Sequence, residues 1–360
     1  MTQMEQAYEI FAARLKAARI KEKLSLEALA TGLDGVVSKQ TLSRYEKGIM
    51  FPSSSILIKL ARVLKVNVEY FLRPLNYDFS SMEFSFRRKR SISVKEIDSL
   101  KVKITDEIER YLEAESLIGE LKPFDYRVES GIITTPEDMI NNAKKVRKDW
   151  NLGEDPISNI PIMLEEHGIK VIMVDAPAEF DGLSGTIDEK FPVIVLNKNK
   201  NVERRRLTAL HELAHILFNK SFDSGLSEHQ KENLCNEFSS EMLLSGDFLV
   251  KVLGEKRKEI SVPELQPIQQ NFGISIDAIV VKAYKLEMIS ESRFRGYFIR
   301  KNTNSKYKEL VEKSLFSEIP TNRFQTIVYK ALAQGLITTS KAAYLLNKPV
   351  NEVSESFNLV

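Results

Sequence analysis

Two histidines four residues apart, His211 and His215, flank a glutamate in the segment "HELAH". On an α-helix, residues i and i+4 lie on one face, so both imidazoles would point to the same place. That arrangement supplies half of a tetrahedral zinc site. Glu212, one residue round the helix, would then reach a water at the metal and act as its general base. The pattern predicts a hydrolytic metal site, provided that a third ligand comes from elsewhere in the chain.

One class of zinc sites with this motif takes its third ligand from a histidine six residues after the second histidine. Ser221 stands at that position here, so the third ligand must be another residue. Several side chains downstream can bind zinc: Glu228, His229, Glu232, Glu237 and Glu241. An apolar stripe marks the buried side of the helix that carries them: Leu234, Phe238 and Met242. Glu232 and Asn236 share a neighbouring side, four residues apart. This pattern resembles that of glutamate-type zincins, in which a second helix supplies the carboxylate ligand and a polar residue one turn later hydrogen-bonds a ligand histidine. The resemblance implies Glu232 as the third ligand and Asn236 as the residue that orients a histidine.

The elements around this motif predict an α+β domain. Two helices, in "PEDMINNAKKVRKDW" and "PISNIPIMLEEHG", come before three strands, "IKVIMVD", "DGLSGTID" and "FPVIVLN". The strands are β-branched and bounded by Gly, Pro, Asp or Asn. The motif helix follows directly. An oxyanion formed at the site could be stabilised by Tyr126, by the arginines at 204–206 or by the metal; the arginines more simply form a solvated helix start.

The first 90 residues predict a separate, basic helical domain. They carry 16 Lys and Arg against 9 Asp and Glu, a net charge of +7, whereas the remainder carries 36 against 41, a net charge of −5. Five short helices are expected here, and Ser25 and Ser38 are placed as N-caps of the second and third. Positive charge at one end of a chain favours a polyanionic partner.

Residues 7–72 resemble the helix-turn-helix of the XRE (lambda-repressor-like) family. The matching positions run through the second, third and fourth helices: Ser25, Leu29, Ala30, Ser38, Leu42, Ser43, Glu46, Gly48, Pro52, Leu60, Ala61, Leu64 and Val66. In that family the third helix enters the major groove of DNA. The resemblance implies that five residues of this helix face bases or phosphates: Lys39, Gln40, Thr41, Ser43 and Arg44. A small packing or dimerisation domain is the alternative reading.

Residues 137–250 resemble the ImmA/IrrE family of metallopeptidases. The motifs that carry the resemblance occur in the family's order: "DGLSG", "PVIVLN", "RRRLTALHELAHILF" and "ENLCNEFSSEMLL". The resemblance implies His211, His215 and Glu232 as metal ligands and Glu212 as the catalytic base. It implies zinc, or manganese, as the cofactor, and a transcriptional repressor or an antitoxin-type protein as the substrate.

The whole chain is predicted to be multidomain and mainly α. We expect a helix-turn-helix domain at 1–75, a linker helix at 86–122 that could serve as a dimer arm, a metallopeptidase domain at 123–255 and a helical region at 256–360. The helical region could recognise a partner or cap the peptidase domain. The basic segment "FRRKRSIS", residues 86–93, could contact phosphates or begin a solvated linker.

Composition narrows the class of protein. With 43% hydrophobic residues, no apolar run long enough for a bilayer and no secretory signal pattern, we expect a cytoplasmic globular protein. One cysteine, Cys235, excludes a disulfide within the chain.

Two functions remain open from the sequence. The first is a homodimeric regulator of double-stranded DNA with an active zinc endopeptidase that cleaves a repressor or antitoxin. The second is a repressor or antitoxin whose peptidase-like half serves as a non-catalytic sensor or interaction platform. The intact set of His211, Glu212, His215 and Glu232 favours the first.

Overall fold

The computed structural model describes residues 3–74, 77 and 93–357. They form two compact units, Met1–Lys122 with Asn322–Val360 (unit 1) and Pro123–Thr321 (unit 2). The basic segment at 86–93 lies outside the described residues except for Ser93. Within the described part of the chain, no helix combines the length and apolar character needed to cross a bilayer.

Helices dominate both units, as the sequence predicts. In unit 1 they begin with α1 (Gln3–Lys21), α2 (Leu26–Gly32), α3 (Lys39–Glu46), α4 (Ser54–Val63), a 3-10 helix (Val68–Leu72) and α5 (Val94–Leu117). Unit 2 contains α6 (Pro136–Asp149), α7 (Ile160–Glu166), β1 (Lys170–Val174), β2 (Gly182–Ile187), β3 (Phe191–Asn197), α8 (Val202–Phe218), α9 (Glu228–Leu243), α10 (Gly246–Leu253), α11 (Val262–Phe272), α12 (Ile276–Lys285), α13 (Glu291–Thr303) and α14 (Ser305–Glu312). The chain then returns to unit 1 as α15 (Arg323–Ala333), α16 (Thr339–Leu346) and α17 (Val350–Ser356).

The first helices of unit 1 begin at the predicted caps. The Ser25 hydroxyl accepts a hydrogen bond from the Ala28 amide, 3.0 Å away, and the Ser38 hydroxyl accepts one from the Thr41 amide at 3.1 Å. Each hydroxyl satisfies an amide that the helix itself leaves without a partner. The last of the five expected helices is a short 3-10 helix.

Helix α5 is buried inside unit 1. Its apolar side chains, among them Leu100, Ile104 and Ile108, are buried, and the helix packs against α1, α15 and α16. The helix predicted as a linker thus packs its apolar side against other helices of unit 1.

The two compact units divide the chain differently from the four predicted regions. The linker helix belongs to unit 1. The C-terminal region is shared, because residues up to Thr321 belong to unit 2 and Asn322–Val360 belong to unit 1. Of the region predicted to recognise a partner or to form a cap, the residues up to Thr321 therefore belong to the same unit as the sheet.

A network of buried charges joins α1, α5 and α16 of unit 1. We define the buried charge network as Arg14, Arg73, Asp106, Glu109 and Arg110, each less than a tenth exposed. Arg14 from α1 donates to Glu109 of α5 at 2.6 Å, and Arg73 donates to both Asp106 and Glu109. The network extends to α16, where Arg73 donates to the Tyr344 hydroxyl and Arg110 donates to the Leu345 carbonyl at 2.6 Å.

The charges around Asp106 determine its ionisation. Burial alone would raise the pKa of Asp106, but the nearby cations, Arg110 foremost, hold that pKa below its ordinary value. Folding therefore favours the ionised carboxylate. This contribution to stability is present above about pH 4, the ordinary Asp range, and is lost as the pH falls through the lower value of the folded state.

Unit 2 contains a three-stranded sheet in the order β1-β3-β2. The three strands match the predicted segments. β1 runs parallel to β3, and β2 runs antiparallel to β3 with Ser184 opposite Ile194. β2 is thus an edge strand of this sheet, and α8 packs across β2 and β3.

Helices α8 and α9 pack against each other through apolar stripes. Leu210, Leu213, Ala214 and Phe218 of α8 are fully buried, at the spacing of one helix face. Phe218 meets Phe238 of α9 edge to face, with ring centroids 5.2 Å apart. This packing turns the other face of α8 outward.

Arg206 corrects the expectation that the arginine run is a solvated helix start. Its side chain is fully buried and pairs with Glu318 at 2.6 Å. It also donates to the Ile157 carbonyl at 2.5 Å and lies over the ring of Phe316. Burial lowers the pKa of Arg206. The residue therefore ties the start of α8 to the segment that follows α14.

We expect Glu109→Gln to destabilise unit 1 by about 3–5 kcal/mol, because it leaves Arg14 and Arg73 buried beside a neutral partner. The measurement is urea unfolding of the full chain followed by circular dichroism. Glu113→Gln is the matched control, since Glu113 pairs with Lys341 in a partly exposed position; that change should cost at most about 1 kcal/mol. Equal midpoints for the two variants would contradict a stabilising role of the network.

Candidate metal centre

The outward face of α8 carries a polar stripe at the spacing of one helix turn. His211, His215 and Asn219 follow one another at intervals of four residues, the last as the C-cap of the helix. The neighbouring stripe is the apolar one that packs into unit 2. Alternation of the two stripes explains why the histidines lie side by side at the surface of the core rather than inside it.

Three side chains from two helices converge at this face. His211 Nε2 lies 3.1 Å from His215 Nε2 and 3.1 Å from Glu232 Oε2, and His215 Nε2 lies 3.4 Å from Glu232 Oε1. Their side chains are 12%, 20% and 23% exposed, in the order His211, His215 and Glu232. Among the described residues, these three form the group of His, Cys, Asp or Glu side chains close enough to hold one metal ion.

An asparagine contacts the outer nitrogen of each imidazole. Asn236 Oδ1 lies 2.9 Å from His211 Nδ1, and Asn219 Oδ1 lies 3.1 Å from His215 Nδ1. An amide oxygen is an acceptor, so both Nδ1 atoms carry the proton in this arrangement. Both Nε2 atoms then present lone pairs to each other and to the Glu232 carboxylate. This tautomer leaves Nε2 of each ring as the atom that can bind a metal ion.

The spacing of these three acceptors fits a small metal ion. Bonds of about 2.0–2.1 Å from a tetrahedral zinc to nitrogen and oxygen place neighbouring ligand atoms about 3.3 Å apart. The three measured separations, 3.1, 3.1 and 3.4 Å, are close to that value. The donor set, two imidazoles and one carboxylate, is also the kind that zinc binds at catalytic sites.

Glu212 lies beside this group and is held by the sheet. The Ser184 hydroxyl on β2 donates to Glu212 Oε2 at 2.7 Å. The carboxylate is half-buried. Ser184 and Asn219 are absent from the residues that the motifs predict; a repeat of the four-residue spacing beyond His215 was the signal for Asn219.

The other candidate ligands point elsewhere. Glu228 pairs with Lys231 at 2.8 Å, Glu237 pairs with Lys285, and Glu241 pairs with the buried Lys282 at 2.5 Å. His229 is exposed and lies 3.3 Å from the side chain of Asn233.

The predicted oxyanion candidates are engaged in other contacts. The Tyr126 hydroxyl donates to Asp149 at 3.0 Å, and burial raises the pKa of Tyr126. Arg204 pairs with Asp181 at 2.7 Å, and Arg205 donates to the carbonyls of Lys198 and Lys200. With Arg206 buried against Glu318, none of these contacts connects them to Glu212 or the histidines.

Cys235 is buried next to the site. Its Sγ lies 3.7 Å from His215 Nδ1, on the side of α9 that faces α8.

Helix α3 carries the residues predicted to contact DNA, from Lys39 in its first turn to Arg44 in its last turn. Lys39, Gln40 and Arg44 are exposed, whereas Thr41 and Ser43 are half-buried. Leu42 and Tyr45 face the core of unit 1. Two further contacts fix the helix: Arg19 makes a bidentate pair with Glu46 at 2.6 and 2.8 Å, and Lys39 pairs with Glu27 at 3.2 Å. The exposed face is polar and carries positive charge.

Comparison with known proteins identifies two regions of the chain. Residues 15–71 match the family sequence model described as helix-turn-helix. Residues 164–284 match the one described as the IrrE N-terminal-like domain, a peptidase family, and this match continues into the predicted C-terminal region. No curated protein sequence matches the chain at a significant level.

One similar solved structure is the apo form of ComR from S. thermophilus. It is 13% identical, and the alignment covers 97% of this chain and 90% of that chain with a TM-score of 0.17. The two resemblances inferred from the motifs are confirmed by the family matches: the chain joins an XRE-type helix-turn-helix domain to an IrrE N-terminal-like domain of the ImmA/IrrE kind.

Proposed function

We propose that this protein is a DNA-binding transcriptional regulator whose second unit is a zinc-dependent endopeptidase acting on a repressor or antitoxin-type protein. The convergence of His211, His215 and Glu232 carries the proposal, because their nitrogen and oxygen atoms lie 3.1–3.4 Å apart, close to the spacing of ligands around one small metal ion. The helix-turn-helix domain in the same chain supports a role in transcription.

In this proposal each side chain of the site has one task. His211, His215 and Glu232 hold the ion, and Asn236 and Asn219 fix the two imidazole rings. A bound zinc ion supplies the positive charge that activates a water and polarises the scissile carbonyl. Glu212 accepts the proton of the attacking water and returns it to the leaving amine.

In unit 1, the proposal assigns DNA contacts to the exposed and half-buried polar residues along α3. Lys39, Gln40, Thr41, Ser43 and Arg44 face the major groove, and the protein binds a palindromic operator as a homodimer. The second function considered from the sequence is a non-catalytic sensor. It includes the same DNA-binding unit, and it differs in that Glu212 does not act as a catalytic base.

We expect the full chain to bind about one equivalent of zinc, and His211→Ala to abolish that binding. Asn219→Ala should weaken zinc affinity about 10-fold to 100-fold, because the His215 ring loses its hydrogen-bond partner. Competition with a chromophoric chelator measures both. Asn233→Ala, on the exposed side of α9, is the matched control. Equal affinities for the two asparagine variants would remove Asn219 from the site.

Glu212→Gln should keep zinc and lose cleavage by at least about 100-fold, since the amide cannot accept the proton of water. The assay incubates the zinc-loaded protein with repressors encoded beside its gene, and with a second copy of itself, followed by mass spectrometry of the products. Glu228→Gln on the exposed start of α9 is the control. A Glu212→Gln protein that regulates as the wild type does would favour the non-catalytic sensor instead.

Arg44→Ala should weaken binding to DNA from the protein's own promoter by about 1–3 kcal/mol, and reduce the salt dependence if the contact is to phosphate. Fluorescence anisotropy at several salt concentrations measures both effects. Lys348→Ala removes the same charge from the loop after α16 and should leave affinity unchanged. An Arg44→Ala protein with unaltered affinity and salt slope would argue against groove insertion by α3.

A further inference from the structure

We propose that Ser184 is a positioning residue for the catalytic base, holding the Glu212 carboxylate in its working orientation. This inference rests on the proposed peptidase function. The Ser184 hydroxyl donates to Glu212 Oε2 at 2.7 Å. An ionised carboxylate only accepts hydrogen bonds, so the hydroxyl must be the donor, and a bond of this length to a charged oxygen belongs to the strong class.

The Ser184–Glu212 contact is one of two neighbouring contacts between β2 and α8. Ser184 and Gly182 are two residues apart, so they share one face of the strand. Glu212 and Thr208 are four residues apart, so they share one face of the helix. In the first contact Gly182 lies against Thr208, and in the second Ser184 donates to Glu212.

Gly182 sets how closely the helix approaches the strand. A Cβ atom at this position would lie 2.7 Å from Thr208 Cγ2 and 2.7 Å from the Val195 carbonyl oxygen. Both distances are shorter than van der Waals contact, and one of the two partners is backbone. A side chain at 182 would therefore force β2 away from Thr208 of α8 and from the neighbouring backbone of β3. The segment "DGLSG" thus combines Gly182, which permits β2 to lie close to α8, with the Ser184 hydroxyl, which bonds to α8 at that short distance.

Ser184 acts on the base rather than on the ion. Its hydroxyl bonds to Glu212, whereas the ligand rings are fixed from other elements, by Asn236 of α9 and by Asn219 at the end of α8. Glu212 is half-buried and has three rotatable side-chain bonds. Loss of the hydroxyl would let its carboxylate turn away from the attacking water, and a misplacement of about 1 Å can cost a factor of about 100 in rate. The effect should therefore appear in the rate constant and not in zinc affinity.

The test compares zinc-loaded full-length wild type, Ser184→Ala and Ser184→Thr. For Ser184→Ala we expect kcat to fall about 10-fold to 100-fold with KM unchanged. The Kd for zinc should also be unchanged. Ser184→Thr keeps the hydroxyl and should recover most of the rate. Gly182→Ala should resemble Ser184→Ala, and Thr186→Val, on the same face of β2, should resemble wild type.

A second measurement does not depend on peptide cleavage. Acetohydroxamate binds zinc and offers a proton to a neighbouring carboxylate, so its affinity reports the position of Glu212. Its Kd, measured by calorimetry, should rise about tenfold in Ser184→Ala, the loss of one hydrogen bond to a charged group. Wild type that cleaves no protein, combined with this weakening, would refute the peptidase proposal and would still show that Ser184 positions the Glu212 carboxylate beside the ion. Unchanged kcat and unchanged acetohydroxamate affinity in Ser184→Ala, or loss of zinc by that variant, would overturn the role of Ser184.

Discussion

Packing of α8 against α9 is the constraint on which the site in unit 2 depends. The buried stripe of α8 and the Phe218–Phe238 contact hold the two helices together. That packing brings the Nε2 atoms of His211 and His215 and the Glu232 carboxylate within 3.1–3.4 Å of one another, while asparagine oxygens contact both Nδ1 atoms. The core of unit 2 thus assembles a group of side chains that can hold one metal ion.

Short-range periodicity made much of the site predictable from the sequence. Spacings of four residues placed His211 with His215 and Glu232 with Asn236 on shared helix faces, and the alternating apolar stripe showed which face packs inward. The strands were predictable for the same reason, since β-branched runs bounded by turn residues have few other structures.

Contacts set by tertiary register were not predictable in this way. Ser184 contacts Glu212 because of the position at which β2 packs along α8. The sequence does not show that position directly. Arg206 illustrates the opposite error. An arginine in a charged run reads as solvated, yet Glu318, more than a hundred residues later, supplies the partner that permits burial. The return of α15–α17 to unit 1 likewise depends on long-range pairs such as Arg73 with Tyr344.

The order of the segments in unit 1 has a consequence for how the protein responds to being cut. Residues 123–321 are an insertion, with unit 1 continuing at both of its ends. A single backbone break inside the insertion would separate the chain into two polypeptides, yet the buried charges and the core around α5 would still join the first polypeptide to the last helices of the second. Such a nick would leave the two polypeptides joined in one particle, with unit 1 whole. To inactivate unit 1, a single break in the insertion would therefore have to be followed by separation of those buried contacts.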